Sequence, residues 1–204
     1  DLNYTKNLFS DIDLGSLDLN TNLQVKNYDV NKQTEFFVND LDWRSPTNIN
    51  NFGIETQYLA KFKSVNYNAD NTDNFKNEDI NYEAFGALGL SGKMPLLREN
   101  KSRNLIDYFT PKFLLRYSPG HMRNIENNFK LNYNDVFKID RVNLIDTMET
   151  GLSGSLGFEY SKNKVENNAT KEIFYTSFAQ IINADENNDR PAPMNKKYSD
   201  IVGQ

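Results

Sequence analysis

Residues 150–161 read TGLSGSLGFEYS, and they alternate strictly. Leu152, Gly154, Leu156, Phe158 and Tyr160 fall on one face, and Ser153, Ser155, Gly157, Glu159 and Ser161 on the other. Such a period of two makes the segment a β-strand, because successive side chains of a strand point to opposite sides of the sheet. Its length narrows the choice further. Strands of soluble sandwiches run to about 5–6 residues, whereas an outer-membrane barrel strand needs roughly 9–11. One face is apolar and ends in aromatics, and the other is small and polar. In a membrane barrel Leu152, Leu156, Phe158 and Tyr160 would face lipid, while Ser153, Ser155 and Glu159 would line a wet lumen.

Other segments repeat the pattern. Residues 16–28 set Leu17, Leu19, Thr21, Leu23 and Val25 against Asp18, Asn20, Asn22, Gln24 and Lys26. Residues 33–44, 52–67, 81–92, 110–118 and 171–182 also read as extended, as do 2–10 and a short stretch at 198–204. This gives roughly nine strand-like segments. Between them lie Asn- and Asp-rich connectors at 68–77, 163–168 and 184–193, of turn-tolerant composition. No stretch carries helical periodicity over the length a stable helix needs, and no composition shift divides the chain. The expected fold is an all-β, antiparallel, long-stranded section of a large outer-membrane β-barrel. Residues 1–204 form one partial barrel domain, with no second domain. The chain opens at Asp1 and ends within a strand-like stretch, so both ends read as cuts in a longer polypeptide.

Composition removes several functions. Net charge is −5, the wrong sign for a general nucleic-acid footprint, so nucleic acid is not an expected partner. There is no Cys, hence no disulfide, thiolate nucleophile or cysteine metal site. A mean hydropathy of −0.72 is too polar for membrane helices, but a barrel needs apolar residues only at alternate positions. The single His, His121, follows Pro119-Gly120 and reads as a turn residue. Asp70, Asp73, Glu78 and Asp79 lack the central Gly of a calcium loop. Asp185, Glu186 and Asp189 read as a solvated loop. Gly86, Gly89 and Gly92 make no phosphate fingerprint and mark curvature or close backbone approach. Trp43, the only Trp, reads as an interfacial anchor or a core residue. No catalytic, cofactor-binding or metal site assembles from these residue types, so the expectation is a protein that is not an enzyme and uses no cofactor.

Three groups of residues carry a resemblance. The first is GLSGKMPL at 89–96, leading into DYFTPKFLLRYSP at 107–119, with Thr110 and Pro111 at its centre. The second joins Asn128-Phe129, Asp140-Arg141 and Glu149-Thr150-Gly151-Leu152. The third is Ser199-Asp200-Ile201-Val202-Gly203, preceded by the Pro-rich 190–193. In this order they resemble the barrel domain of the LPS-assembly protein family LptD, also called organic solvent tolerance protein OstA. Asp42-Trp43-Arg44 followed by Gly53 fits the upstream part of the same barrel.

The resemblance implies a piece of the outer-membrane translocon of a Gram-negative cell that assembles lipopolysaccharide into the outer leaflet. It also implies the partners: lipopolysaccharide, outer-membrane lipid, an LptE-type lipoprotein plug in the lumen, and a periplasmic bridge reaching a domain outside these residues. The family's cysteines have no counterpart here, so no disulfide or gate residue transfers. Two other readings remain open: a porin-like or transporter barrel, and a soluble secreted all-β binding module that buries Leu152, Leu156 and Phe158 in a sandwich core.

Overall fold

In the computed structural model, which describes residues 1–28, 31–72, 75–76, 79–125, 128–166 and 169–204, the chain is all-β. The strands are β1 (Leu2–Asp11), β2 (Gly15–Tyr28), β3 (Lys32–Arg44), β4 (Asn48–Ile49), β5 (Glu55–Asp70), β6 (Asn81–Lys93), β7 (Leu96–Asn100), β8 (Leu105–Ser118), β9 (Gly151–Glu166), β10 (Ala169–Asn183) and β11 (Val202–Gly203). They form one antiparallel sheet in the order β1-β2-β3-β5-β6-β8-β9-β10-β11, with β4 added to β5 and β7 to β8. The sheet is not closed. Among the described residues one helical turn of α type, α1, covers Tyr133–Val136.

The long strands coincide with the alternating segments, and several run past the expected limits. β8 starts at Leu105 rather than at Thr110, because β7, not expected from the sequence, pairs with Leu105–Phe109. Asn104 makes that hairpin possible with a left-handed φ of 53°. Pro111 sits where β6, paired through Lys112, gives way to β7, paired from Phe109. β5 begins at Glu55 instead of 52, since Asn50 Oδ1 accepts from the amides of Phe52 and Ile54 and folds that stretch into a turn. β9 continues to Glu166, which pairs with Ala169, so most of the 163–168 connector is strand. Asp73, Asn77, Glu78 and Asn168, named in the connector and calcium-loop readings, lie outside the described residues.

The two faces of the sheet differ in kind. One carries Leu17, Trp43, Ala60, Leu88, Tyr117 and Leu152 in a single register row. This face is open: Leu88 is 63% exposed, Leu156 57%, Leu115 52% and Tyr117 51%. The opposite face carries Lys61, Lys63, Arg116, Ser153, Ser155 and Ser177, all of them buried. What buries them is the chain itself. The described residues of 119–150, between neighbouring strands β8 and β9, fold back over this face from β3 to β10. Met122, Ile125, Leu131, Tyr133, Val136 and Val142 pack with Ala179 and Ile181 of β10, and with Met194. Met148 packs with Phe36, Val38, Val65, Tyr67 and Phe85 of β3, β5 and β6. The open face is thus rich in apolar residues, and the covered face sets buried charges and hydroxyls beside the apolar residues of two buried clusters.

Two of the glycines on the strands are there for close approach. At Gly157 a Cβ would come within 2.4 Å of the Phe178 carbonyl oxygen and 2.9 Å of the Phe137 ring, so its absence lets Phe137 lie on the sheet. At Gly92 a Cβ would fall 2.2 Å from the Phe113 ring.

Candidate functional site

The covered face is built around an ion cluster that pins residues 119–150 to β8 and β9. Arg141 and Glu149 are both fully buried, and Arg141 Nη1 donates to the two carboxylate oxygens at 2.9 and 3.1 Å. The same nitrogen donates to Ser153 Oγ at 3.0 Å, and Nη2 donates to Ser155 Oγ at 3.1 Å. Ser155 Oγ in turn donates to the Val136 carbonyl at 2.8 Å. From β8, Arg116 donates through Nη2 to the Glu149 carbonyl and through Nε to the Ile139 carbonyl at 2.5 Å. Arg190 donates to the carbonyls of Thr150 at 2.6 Å and Asp185 at 2.9 Å, with its Nε 3.8 Å from Glu149 Oε1.

Burial by itself would raise the Glu149 carboxyl, but Arg141, Arg116 and Arg190 outweigh it and hold the group below the ordinary glutamate range. Desolvating ions is costly, so the gain lies less in net stability than in fixing one arrangement of the segment on the sheet.

A second cluster ties the segment to β5. Lys63 Nζ lies 3.3 Å from Asp140 Oδ2, and donates to the carbonyls of Leu144 and, at 3.3 Å, Thr147. Beside it Lys61 donates to Asp42 at 2.9 and 3.1 Å, and Asp40 Oδ1 lies 3.7 Å from Lys61 and 3.9 Å from Lys63. A third contact joins Arg123 to Glu83 of β6, with the guanidinium over the rings of Tyr67 and Phe75 at 5.1 and 4.5 Å. The connector after β10 is joined to the same segment, the Ile125 amide donating to the Asp189 carbonyl at 2.9 Å.

Under Phe137 the covered face opens into a cleft of about 480 Å³ lined by Asp42, Lys61, Lys138, Asp140 and Asn143 among others. A smaller one of about 270 Å³ adjoins it, with Glu55, Lys93 and Lys112, and the two share Gln57, Ser91 and Phe137. The lining offers hydroxyls, amides and charges of both signs. It can hold water or hydrogen-bond a polar, ionic group. Among the described residues no group of His, Asp and Glu lies close enough to hold a metal ion.

The sequence-derived residues fall as follows. Leu152 and Leu156 lie on the open face, as do Phe158 and Tyr160 by register. Ser153 and Ser155 lie on the covered face but are dry rather than wet, because the segment carrying Arg141 packs over them and Arg141 donates to both hydroxyls. Glu159, farther along β9, keeps partial exposure and pairs with Lys112 at 2.5 Å. Asp140 and Arg141 sit side by side and serve the two separate clusters. Ser199 Oγ accepts from the Ile181 amide at 2.9 Å and donates to the Asp200 carbonyl at 2.8 Å, which fixes the last stretch on β10. A Cβ on Gly203 would meet the Ser177 carbonyl oxygen at 2.6 Å, so only glycine fits that contact. Thr110 faces Glu159 across β8 and β9.

No protein-family model matches the chain, and no curated protein matches it significantly.

Sequence reasoning met Arg116, Glu149 and Arg190 only as members of the motif groups, without a role, and missed Lys61 and Lys63. Three of them carried a signal: Lys61, Lys63 and Arg116 occupy strand positions of the polar parity within otherwise apolar runs, which marks an inward charge that needs a partner. His121 is exposed, with Nε2 3.6 Å from Glu83 Oε2. Trp43 lies on the open face by register, its Nε1 donating to the Leu14 carbonyl at 2.9 Å.

Proposed function

We propose that this chain is a wall section of an outer-membrane β-barrel that helps to assemble lipopolysaccharide into the outer leaflet of a Gram-negative cell. The observation that carries the membrane part is the open apolar face, together with the slant of its apolar band. On β2 the band covers Leu17–Val25, and on β9 Leu152–Tyr160. Register places Leu17 and Leu152 in one row, yet the band runs from that row in opposite directions on the two strands. On β5 and β6, in between, it straddles the row with Tyr58, Ala60 and Phe62, and with Leu90 and Leu88. Its centre therefore moves by about eight residues over about five strand intervals, which at roughly 3.3 Å per residue and 4.8 Å per interval is a slant of about 45–50°. Membrane-barrel strands tilt by about 35–45°, so a slanted band on the sheet becomes a level belt in the bilayer. The polar row that crosses it, Thr21, Asn39 and Ser64, is partly satisfied within itself by a 2.8 Å hydrogen bond from Thr21 to Asn39.

The connectors support the same reading. The two longest, 119–150 and 184–201, leave from one end of the sheet, whereas the opposite end has the two-residue join of β9 to β10. Outer-membrane barrels have short periplasmic turns and longer external loops, which makes the end bearing 119–150 the external one. No helix among the described residues is long and apolar enough to cross a membrane.

The lipopolysaccharide part rests on the resemblance of the three motif groups to the LptD family. On that reading the apolar belt holds the wall in lipid, the covered face with its clefts belongs to the lumen side, and the partners are an LptE-type lipoprotein and a periplasmic lipopolysaccharide bridge. The test is fractionation of the cells that make the protein, followed by heat-modifiable gel migration with and without the lipoprotein. A heat-modifiable outer-membrane band that depends on the lipoprotein is expected. A band indifferent to it refutes the lipopolysaccharide reading and favours another barrel. A soluble product refutes both.

A further inference from the structure

The ladder between β6 and β8 stops before β6 does. Its paired residues run from Leu88 with Tyr117 to Lys93 with Lys112. One step further the Met94 amide donates to the Pro111 carbonyl at 3.1 Å. Ladder bonds alternate along an antiparallel pair, so the even-numbered residues of β6 turn their backbone groups toward β8. In this register the partner of Gly86 would be Pro119, which has no N–H to give. The Ser118 hydroxyl takes that place and donates to the Gly86 carbonyl at 2.7 Å. Gly120, with a positive φ of 94°, then leads the chain off the line of the sheet. The His121 ring comes to lie 5.4 Å from that of Phe85, and the Arg123 amide donates to Thr147 Oγ1 at 2.9 Å. Beyond this cap, the N–H and C=O groups of Ala84 and Tyr82 on the β8 side meet no partner among the described residues. We propose that this edge of β6, from Tyr82 to Gly86, is a strand-addition site that binds an extended peptide antiparallel to β6.

The chemistry of the edge selects that occupant. Free donors and acceptors recur along one line, with about 7 Å between Ala84 and Tyr82, and a second extended backbone supplies the complementary groups at the same spacing. The gap lies between neighbours in the sheet order, so a strand added at either margin of the sheet, beyond β1 or beyond β11, does not fill it. The open face has room beside it. Ala84 and Gly86 are small and lie between the exposed rings of Tyr82 and Tyr117, and a Cβ on Gly86 would meet only the Lys61 carbonyl oxygen, at 3.8 Å. One large side chain of an added strand fits between those rings. The usual guards of a strand edge are also missing. Tyr82–Gly86 holds no Lys or Pro, and its one charge, Glu83, is paired with Arg123. The inference needs the sheet alone, and the barrel reading adds only that the peptide arrives from the external side.

Amide hydrogen exchange of the purified whole protein tests this, with an acetylated and amidated Thr-Val-Thr-Val-Thr peptide as the probe. Without the peptide, the Tyr82 and Ala84 amides should exchange at least about tenfold faster than those of Glu83 and Phe85, which face β5. The peptide should slow Tyr82 and Ala84 about tenfold, and the same peptide N-methylated at every residue should not. Ala84→Pro removes an edge donor while sparing the β5 ladder, and should weaken peptide binding about tenfold. If that variant fails to fold, the methylated peptide decides. Slow exchange of Tyr82 and Ala84 in the protein alone overturns the free edge. No protection by the peptide, or equal protection by its methylated form, overturns strand addition. Protection by phosphatidylglycerol vesicles without peptide assigns the edge to lipid headgroups and overturns the peptide. None of these readouts depends on heat-modifiable migration, so failure of the barrel reading and failure of this inference are seen separately.

Discussion

Replacing Glu149 by Gln removes one negative charge from a pocket that holds three guanidinium groups. The carboxylate is fully buried, accepts twice from Arg141 and lies 3.8 Å from Arg190 Nε. Glutamine keeps the shape and one acceptor oxygen, so the loss is electrostatic rather than steric. Stranding a buried ion in this way costs about 3–5 kcal/mol, and the remaining hydrogen bond places Glu149→Gln near the lower figure. The cost should shrink when the stranded partner is removed too. Arg141→Met with Glu149→Gln should be less damaging than the sum of the single changes by about 1–3 kcal/mol. Urea titration followed by the fluorescence of Trp43, the only Trp, gives the three values needed. A Glu149→Gln loss below about 1 kcal/mol, or strict additivity with Arg141→Met, would refute the view that this ion pair fixes residues 119–150 on the sheet.

Further outcomes follow from the same geometry. Because Glu149 is held below its ordinary value, it adds stability above the unfolded carboxyl pKa of about 4.3, and this is lost as pH falls through the lower folded value. Stability of the intact protein should thus decline below that range, and Glu149→Gln should flatten the decline in the same titration repeated at several pH values. Gly157→Ala forces a methyl against the Phe178 carbonyl and the Phe137 ring and should cost about 1–3 kcal/mol, of which Phe137→Ala should relieve only the part due to the ring. Leu156→Arg should cost about 2–4 kcal/mol when the protein is refolded into vesicles, whereas an open-face leucine of a soluble sheet would tolerate Arg within about 0.5 kcal/mol. Thr110→Arg, on the covered-face parity beside Glu159, should cost much less than Leu156→Arg in vesicles.

The fold was legible where one periodicity dominates. Leu17 to Val25 and Leu152 to Tyr160 alternate so regularly that a slip of one residue would exchange both faces, and there the strands and their faces could be read directly. Legibility failed wherever a neighbour, not the segment, decides the structure. Leu96–Asn100 is a strand because Leu105–Phe109 lies opposite, and nothing in LLREN itself requires it. Residues 119–150 show no period because they obey the sheet they cover: Met122, Val136 and Met148 are buried by distant residues. The same holds for the site. Ser153 and Ser155 could be assigned a face from spacing, but their dryness depends on Arg141, whose approach no local pattern encodes. Asp140-Arg141 was visible only through resemblance, and its split between two ion clusters needed the partners Lys63 and Glu149.

The central claim is that the open apolar face meets lipid. Its most direct test places one Trp at position 156, in a Trp43→Phe background, and refolds the protein into vesicles whose acyl chains carry bromine. Strong quenching of the residue at 156 is expected, and little quenching when the Trp is placed at 110 instead. Equal emission at the two positions, unaffected by bromine, would contradict it.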